Sequence, residues 1–365
     1  MQPSAPLFTE FGPRAESNWR GIVLLGGNTQ SYKFALASTL LDVAATGRTS
    51  ARLDELALPF AQQLCEHLKL SDRQGTAPGS ALLDACRRHN RGDMDLEELR
   101  EVAISQAFRY VFNAFHNVER DPVPTRFFDV SGRTSSATAT SQTPSVYKNG
   151  ILHLTDDAMT LAAGPQGANL RHEVQARWRL VETAWELGVP TDRVVVTYDE
   201  TDEAVYARGH RHRPPITGVR EATSGYQKGR CFYCNRDIDI GAGSPLLADV
   251  DHVFPRKLQQ GMGANSTNLD GLWNLVLACR ECNRGAGGKF TRLPDKYFLR
   301  RLWERNEHYI SSHHPLRETL MLQTGANRRK RKNFLDTVWT EAKSLGVSSN
   351  WRPPQVGESV WTDDE

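Results

Sequence analysis

Apolar side chains recur every three or four residues in several stretches of the N-terminal half, which is the spacing of a helix with one buried face. The clearest stripes consist of Leu53, Leu56, Phe60, Leu64 and Leu68; of Leu96, Leu99, Ala103, Ala107, Val111 and Phe115; and of Leu170, Val174, Trp178, Val181 and Trp185. Pro59 could kink or split the first helix, Asp93 or Asp95 could cap the second, and Gly188 ends the third. We therefore predict a mainly helical N-terminal domain over residues 1–207.

Short apolar or alternating runs predict a few strands. Asn149 and Gly150 suit a type I′ turn, so residues 146–154 are predicted to form a hairpin. Residues 193–198 and 246–251 are rich in apolar residues and predict two further strands. Because the strands are few and short, the expected fold class is mainly α with small β elements, an α+β fold.

The C-terminal part of the chain is again helical in pattern. Residues 296–305 are amphipathic and residues 335–345 carry a further apolar stripe, which predicts a helical extension over residues 291–350. Residues 351–365 are predicted to be a loosely held tail. Residues 208–228 are rich in Arg and Pro and predict a basic linker, which is either a solvated connector or an arm that contacts phosphates.

The composition is that of a globular protein, and it narrows the possible functions. Of 365 residues, 24% are charged and the formal net charge is only +2, so a nucleic-acid surface would need local clusters of basic residues. No run approaches the about 20 apolar residues that a membrane span needs, and the N-terminus lacks a secretory pattern. The six cysteines include two C-x-x-C pairs and suit a reducing compartment. We therefore expect a cytoplasmic protein without a membrane partner.

Four cysteines stand as two close pairs, Cys231 with Cys234 and Cys279 with Cys282. Each C-x-x-C pair can turn its two sulfurs towards one ion, and two pairs fill the four positions of a tetrahedral Zn²⁺ site. Because all positions are then filled by the protein, such a zinc is structural rather than catalytic. The cysteines alone would fit equally well a zinc ribbon that only binds nucleic acid or another protein.

Polar residues of another kind lie between and beside these pairs: Asp251, His252, Asn274 and Asn283. Carboxylate and amide oxygens are ligands that suit Mg²⁺, and histidine titrates near neutral pH. A zinc ribbon has no use for an Asp-His pair at the end of a strand, so this set favours a catalytic centre. Asp249 shares a strand face with Asp251 and is either an outer partner of metal-bound water or an ordinary strand residue.

The order Cys-x-x-Cys, Asp-His-x-x-Pro, Asn-Leu and Cys-x-x-Cys-Asn resembles the HNH, or ββα-metal, endonucleases in their zinc-bound form, over residues 229–290. The resemblance implies two strands and a helix closed by zinc, with His252 as the general base. It also implies that Asp251 and Asn283 hold one Mg²⁺ (or Mn²⁺) ion, and that Asn274 braces the loop that carries the histidine. Many relatives have histidine at the final position, where asparagine also suits a hard ion.

Basic residues near this motif are candidates for contact with nucleic acid. They are Arg256, Arg284, Lys289, Arg328, Arg329 and Lys330. The first three could clamp phosphates beside the site, and a plain surface role is the alternative for each. The last three begin a run of five bases at 328–332, which is either a solvated face or a contact with the DNA backbone.

These observations predict a metal-dependent DNA endonuclease whose N-terminal domain governs regulation or target choice. The general layout of the chain is also similar to bacterial HNH proteins of restriction and anti-phage defence. A partner protein that targets or activates the nuclease is part of this expectation. Two alternatives stay open: a non-catalytic zinc module that binds nucleic acid or protein in a larger complex, and an HNH nuclease that acts on RNA or modified DNA.

Overall fold

Helices dominate the computed structural model, and its strands form small antiparallel sheets. The residues that the structure describes are 14–26, 28–76, 79–108, 111–118, 121–132, 149–191, 194–199, 201, 203–207, 217–262, 267–311, 314, 316–346 and 350–353. The chain divides into two units, Met1–Gly188 and Val189–Glu365. Within the described ranges, no helix has the length and apolar character that a membrane span requires.

Helices and short strands alternate along the first unit. In order they are α1 (Arg14–Arg20), a π-helical turn (Gly21–Leu25), α2 (Tyr32–Ala45), β1 (Ser50–Arg52), α3 (Leu53–Leu68), α4 (Ala81–Asn90), α5 (Leu96–Gln106), α6 (Val111–Phe115), β2 (Asn117–Val118), β3 (Asp121–Pro122), β4 (Phe128–Ser131), β5 (Ile151–Leu154), α7 (Asp156–Ala163) and α8 (Gly167–Leu187). Strand β5 lies between β1 and β4 in an antiparallel sheet, and β2 pairs with β3.

The capping signals in this unit act as expected. Asp95 caps α5 in a capping box with Glu98, and Gly188 ends α8 in the left-handed conformation at φ +66°. Helix α3 runs unbroken through Pro59, so the possible split at that proline does not occur. The second apolar stripe is divided instead, because α5 ends at Gln106 and α6 begins only at Val111.

Only part of the predicted hairpin around Asn149 and Gly150 is found in the described residues. Its second strand is β5, which pairs on one side with β1 and on the other with β4. Residues 146–148, its predicted first strand, lie outside the described residues. Strand β5 therefore takes its partners from distant parts of the chain, which a local turn signal does not reveal.

One continuous cluster of buried apolar side chains fills the first unit, and it includes the residues of the predicted helical stripes except Leu96, which is exposed. Aromatic rings form its centre: Trp19 meets Phe127 edge-on with ring centroids 5.1 Å apart, and Phe60 meets Phe108 at 5.4 Å. Edge-to-face pairs of this kind contribute about 0.5–1.5 kcal/mol beyond the burial of their area. The stability of this unit therefore comes chiefly from apolar burial.

The second unit has shorter strands and a helical C-terminal part. Its elements are β6 (Val196–Asp199), β7 (Ala204–Ala207), β8 (Thr217–Gly218), α9 (Val219–Gln227), β9 (Asp249–His252), 3-10 turns at Arg256–Gln260 and Leu272–Asn274, β10 (Leu275–Ala278), α10 (Arg280–Arg284), α11 (Lys296–Ser311), α12 (Arg317–Thr324) and α13 (Arg328–Ser344). Strands β6, β7 and β8 form one antiparallel sheet, and β9 pairs with β10 in another. Helix α10 begins directly after Cys279.

The start of the second unit lies before the predicted linker. Strand β7 pairs with both β6 and β8, so these strands belong to one sheet. Residues 208–216 of the predicted linker are outside the described residues, and the predicted boundaries at 207, 228 and 290 remain predictions. Strand β9 begins at Asp249, later than predicted, because Leu246 is exposed and its N–H donates to the Ser244 hydroxyl in a turn.

The beginning of the predicted tail is held in place, which corrects the expectation of a loosely held segment from residue 351. Trp351 is buried, its N–H donates to the carbonyl of Leu293, and its ring N–H donates to the carbonyl of Gly287. Its ring also meets Tyr233 edge-on, with centroids 5.1 Å apart. Burial of a large apolar ring is favourable in free energy, so Trp351 anchors the segment that contains it. Residues 354–365 lie outside the described residues.

Helix α11 is attached to the β9–β10 region by a buried guanidinium. Arg305 donates to the carbonyls of Leu275 (2.9 Å), Trp273 (2.9 Å) and Leu272 (3.2 Å). The side-chain amide of Asn306 also donates to the carbonyl of Trp273, at 3.0 Å. These donors satisfy backbone carbonyls that would otherwise be buried without partners.

Candidate functional site

The four cysteines of the two C-x-x-C pairs come together in the second unit. Their sulfur atoms all lie within 4.8 Å of one another, and all four residues are buried. Sγ of Cys234 and Sγ of Cys279 are 3.7 Å apart. Tetrahedral coordination with Zn–S distances of about 2.3 Å separates sulfurs by about 3.8 Å. These four buried cysteines could therefore bind a metal such as zinc.

Backbone hydrogen bonds shape the turn that carries the first pair. The N–H of Cys231 donates to the carbonyl of Arg236 at 2.8 Å, and the N–H of Asn235 donates to the carbonyl of Cys231 at 3.0 Å. Asn235 adopts the left-handed conformation at φ +62°, which asparagine tolerates better than most residues. The N–H of Phe232 donates to the carbonyl of Leu277, so the turn is attached to β10.

The second pair lies at the start of α10, with Cys279 as the N-cap and Cys282 within the first turn. Burial raises the pKa of the Cys231 thiol, whereas its hydrogen bond with Cys231 lowers the pKa of the Cys279 thiol to about 6. The thiolate is the form that binds zinc, so binding of the ion would remove the remaining thiol protons.

Strand β9 places two carboxylates on one face, because side chains two residues apart in a strand point the same way. The first, Asp249, accepts hydrogen bonds from the amide of Asn283 at 3.1 Å and from the guanidinium of Arg284 at 2.8 Å. Asn283 lies in α10, directly after the second cysteine pair, so the cysteine cluster also positions this amide. Asp249 thus has two defined side-chain partners, and a role towards metal-bound water stays a prediction.

The second carboxylate, Asp251, is buried with partners on both of its oxygens. The Tyr233 hydroxyl donates to Oδ2 at 2.5 Å, and the Lys289 ammonium donates to Oδ1 at 3.1 Å and to the carbonyl of His252 at 2.9 Å. The Lys289 side chain is completely buried. Lys289 therefore does not reach the surface as a phosphate clamp, which corrects that expectation; its charge is used to neutralise Asp251.

His252 is the last residue of β9 and keeps a small accessible surface, with 12% of its side chain exposed. Its Nε2 lies 3.1 Å from Oδ1 of Asp270, and Nε of Arg256 lies 3.1 Å from the same oxygen. Burial lowers the pKa of the imidazole, against the opposing influence of Asp270 and Asp251. The ring is therefore uncharged near neutral pH, which is the form that accepts a proton. The Tyr198 ring is also near, with centroids 6.5 Å apart.

Asn274 is fully buried and joins three backbone segments with one side chain. Its Oδ1 accepts from the N–H of Phe254 at 2.8 Å, and its Nδ2 donates to the carbonyls of Phe254 at 2.9 Å and Leu269 at 2.8 Å. Its own carbonyl accepts from the N–H of Val253. The residues that follow His252 are thus tied to this amide. Asn274 offers no accessible atom to a substrate, so we treat it as a positioning residue, not a catalytic one.

The predicted nucleic-acid contacts have different surroundings. Arg256 and Arg284 are about half exposed beside the site, paired with Asp270 and Asp249 respectively. Arg328, Arg329 and Lys330 are exposed in the first turn of α13, where the Arg328 guanidinium lies 4.7 Å from the centre of the Trp303 ring. The run of five bases is interrupted at Arg331, which is buried and forms a two-pronged ion pair with Glu307.

Sequence reasoning missed three residues that touch the site: Asp270, Tyr233 and Tyr198. Asp270 lies shortly before Asn274 in the sequence and is not part of any recognised motif. Tyr233 lies between the two cysteines of the first pair. An aromatic residue with a hydroxyl group at this position could have indicated a hydrogen bond to the site. Burial raises the pKa of Tyr198 to about 12, so its hydroxyl stays protonated at neutral pH.

No family model, no curated protein and no solved structure matches the chain. The site is defined by its own geometry. A four-cysteine cluster that could bind a metal lies in the same unit as two paired strands and a short helix. Together these elements carry Asp249, Asp251, His252 and Asn283.

Proposed function

We propose that the chain is a metal-dependent endonuclease of the HNH class that hydrolyses phosphodiester bonds in DNA. The observation that carries this proposal is His252, an uncharged and partly accessible imidazole at the end of a strand that also bears Asp249 and Asp251. The cysteine cluster supports the proposal, because strands and a helix this short bury little apolar area and a structural Zn²⁺ would hold them together.

The side chains of Asp251 and Asn283 offer oxygen donors of the kind that a hard divalent ion binds. Asp251 provides a carboxylate, and Asn283 provides its amide oxygen because its amide nitrogen donates to Asp249. Such oxygen donors suit Mg²⁺ and Mn²⁺. When bound, the ion supplies charge neutralisation at the phosphoryl group and stabilisation of the leaving 3′ oxygen. The ion would share the Asp251 carboxylate with the Lys289 ammonium.

The residues of the chain supply the proton chemistry and the grip on DNA. His252 accepts a proton from the attacking water as the general base, because burial keeps its pKa below the usual value. Asn274 holds the backbone that follows the histidine. The guanidinium groups of Arg256 and Arg284 are exposed enough to bind phosphates on either side of the scissile bond.

Plasmid cleavage tests this proposal directly. Zinc-loaded protein is incubated with supercoiled DNA in the presence of Mg²⁺, Mn²⁺ or EDTA. We expect nicking or linearisation that requires the divalent ion and falls by about 10²–10⁴-fold in His252→Ala, which is the usual contribution of a general base. His153→Ala removes an exposed histidine of the first unit and should cleave like the wild type. DNA binding by His252→Ala, measured by fluorescence anisotropy, should be unchanged.

Other outcomes would change the proposal in defined ways. Cleavage of RNA alone, or of modified DNA alone, would keep the enzyme and change its substrate. Equal cleavage by the wild type and His252→Ala would remove the general base. If neither protein cleaves any of these substrates while zinc and nucleic-acid binding persist, the chain is better explained as a zinc module of a larger complex.

A further inference from the structure

The carboxylate nearest to His252 comes from another segment of the chain and belongs to no motif. Asp270 precedes the 3-10 turn at Leu272–Asn274, and its Oδ1 lies 3.1 Å from Nε2 of His252. The Asp270 side chain is 31% exposed, and the His252 side chain is more deeply covered. The contact therefore lies at a partly accessible edge of the site, and the imidazole keeps a small exposed fraction.

Several hydrogen bonds fix the backbone around Asp270. Its N–H donates to the side chain of Asn268 at 2.9 Å, and the N–H of Leu269 donates to the side chain of Gln259 at 2.8 Å. The ring N–H of Trp273 donates to the carbonyl of Asn268 at 3.1 Å. A carboxylate on a segment held this way has a defined position relative to its neighbours.

One amide holds both sides of this contact. The side chain of Asn274 bonds to Phe254, which follows His252 closely, and to Leu269, which directly precedes Asp270. A shift of either segment would break hydrogen bonds that are fully buried, at a cost of about 1–3 kcal/mol each. The spacing between the imidazole and the carboxylate is thus set by Asn274.

Arg256 is a second partner of the Asp270 carboxylate. Its Nε lies 3.1 Å from the same Oδ1 of Asp270 that faces His252. A guanidinium is always a donor, so Oδ1 accepts from Arg256 as well as facing the imidazole. A carboxylate has only acceptors to offer, so in its hydrogen bond with His252 the donor is the Nε2–H of the ring.

We propose that Asp270 is the positioning residue of His252: its carboxylate accepts the Nε2–H of the neutral imidazole and so leaves Nδ1 as the proton acceptor. A carboxylate that receives a ring N–H selects the tautomer and the ring orientation. The catalytic part of this inference rests on the proposed nuclease function. In the cleavage step, the water proton passes to Nδ1, the water oxygen bonds to phosphorus, and the P–O3′ bond breaks. The 3′ oxygen then takes a proton from solvent, while Nε2–H stays bonded to Asp270.

The first test does not depend on cleavage. Full-length protein labelled with ¹⁵N-histidine is examined by NMR at a pH where the His252 ring is neutral, and its signals are assigned by their loss in His252→Gln. We expect the ring proton on Nε2, in slow exchange with water because it is hydrogen-bonded, and fast exchange in Asp270→Ala. A wild-type ring proton on Nδ1, or an exchange rate that is the same in Asp270→Ala, would overturn the proposal.

Cleavage kinetics supply the second test. Asp270→Ala should lower kcat by about 10- to 100-fold, the usual effect of losing a partner that orients a functional histidine, and leave KM for DNA unchanged. Asp270→Asn keeps the side-chain volume, so a folded Asp270→Asn protein with a full zinc content and reduced kcat excludes a simple folding defect. A wild-type rate in both variants would overturn the inference while leaving the nuclease intact. If the wild type does not cleave at all, the nuclease proposal fails, and the NMR result still decides the role of Asp270.

Discussion

The first unit and the cysteine-bearing region of the second unit both bury polar side chains within an apolar interior, and among the described residues they differ in one component, the cluster of four cysteines. In the first unit, a single cluster of apolar and aromatic residues extends from Trp19 to Trp185. The region around the cysteines buries apolar residues together with the amide of Asn274 and the charges of Lys289 and Arg305, and to these it adds four thiols that lie close together. Apolar burial is non-directional, whereas each buried polar group needs a particular partner.

This difference indicates which of the two regions can lose one stabilising group and still fold. The buried polar groups of the first unit, among them Arg20 with Glu173 at 2.8 Å and His67 with Glu182 at 2.6 Å, lie beside a large apolar cluster. In the second unit, the cysteine cluster and the Lys289–Asp251 pair lie at the site itself. We therefore expect a metal ion to matter for the second unit and to be irrelevant to the first.

Removal of the metal should have the largest effect on folding, and this effect should be confined to the second unit. Cys234→Ser or treatment with a strong chelator should abolish zinc binding and unfold the cysteine region, because a structural zinc contributes about 10–16 kcal/mol in small zinc domains. Hydrogen exchange resolved along the chain should show lost protection around β9 and β10, with α2 and α3 unaffected. Cys65→Ala, at a buried cysteine of the first unit, should leave the zinc content at one per chain. A folded, zinc-free Cys234→Ser protein would contradict the structural role.

Truncation of an aromatic residue is the corresponding test of the first unit. Phe60→Ala should lower the free energy of unfolding of that unit by about 3–5 kcal/mol, because it leaves a cavity between Tyr32 and Phe108. Zinc content should not change. Leu70→Ala, at an exposed leucine just after α3, should change stability by less than about 0.5 kcal/mol. Equal losses in the two variants, measured by denaturant unfolding, would mean that the apolar cluster is not what stabilises this unit.

Acid should weaken the apolar interior of the first unit through His116. Burial lowers the pKa of His116 to about 4, and its Nε2 accepts the N–H of Phe127, so the folded form keeps the ring neutral. The unfolded chain binds a proton at about pH 6.5, so this contribution is fully present above that pH and is lost as the pH falls towards 4. The loss amounts to about 3 kcal/mol at most.

Hydrogen exchange at several pH values can measure this effect separately in each unit. His116→Gln should remove the pH dependence of protection around α6 and β4 between pH 6.5 and 4. His308, in the second unit, also has its pKa lowered to about 4 by burial, and its region should keep its own acid sensitivity in that variant. An unchanged profile around α6 would show that His116 is not the responsible group.

The smallest expected effect concerns charge at the surface. Replacing Arg328, Arg329 and Lys330 with alanine should reduce the slope of log affinity for DNA against log salt by up to about 0.9 per lost phosphate contact. A charge-matched control replaces three exposed bases of the first unit: Arg48, Lys69 and Arg91. An unchanged slope in the first variant identifies the start of α13 as a solvated face, and a reduced slope in the control extends the DNA contact to the first unit.

Local patterns in the sequence predict the elements that depend on neighbouring residues. The stripe from Leu53 to Leu68 is helix α3, the Asp95 cap begins α5, and the two C-x-x-C pairs form the buried cluster. These features depend on helical periodicity or on the spacing of ligands along a short segment, so the chain itself carries the information.

The contacts that complete the site are set by tertiary structure instead. Lys289 meets Asp251 across 38 residues of sequence, and the only local hint was a positive charge that equally suited the surface. Asp270 faces His252 because Asn274 ties both segments together, which requires the folded loop. The burial of Trp351 depends on partners that precede it by more than one helix. Pairing at such distances leaves no periodic trace in a single sequence.

The anchoring of Trp351 has a practical consequence for any shortened form of the protein. Its indole holds the carbonyl of Gly287, and this glycine lies in the loop that leads to Lys289 and, through it, to Asp251. A proteolytic nick or an early stop codon ahead of residue 351 would therefore disturb a carboxylate far away in the sequence. Fusion partners are best joined after Pro353. Poor activity of a truncated chain would indicate that the Trp351 contact is lost, not that a domain is missing.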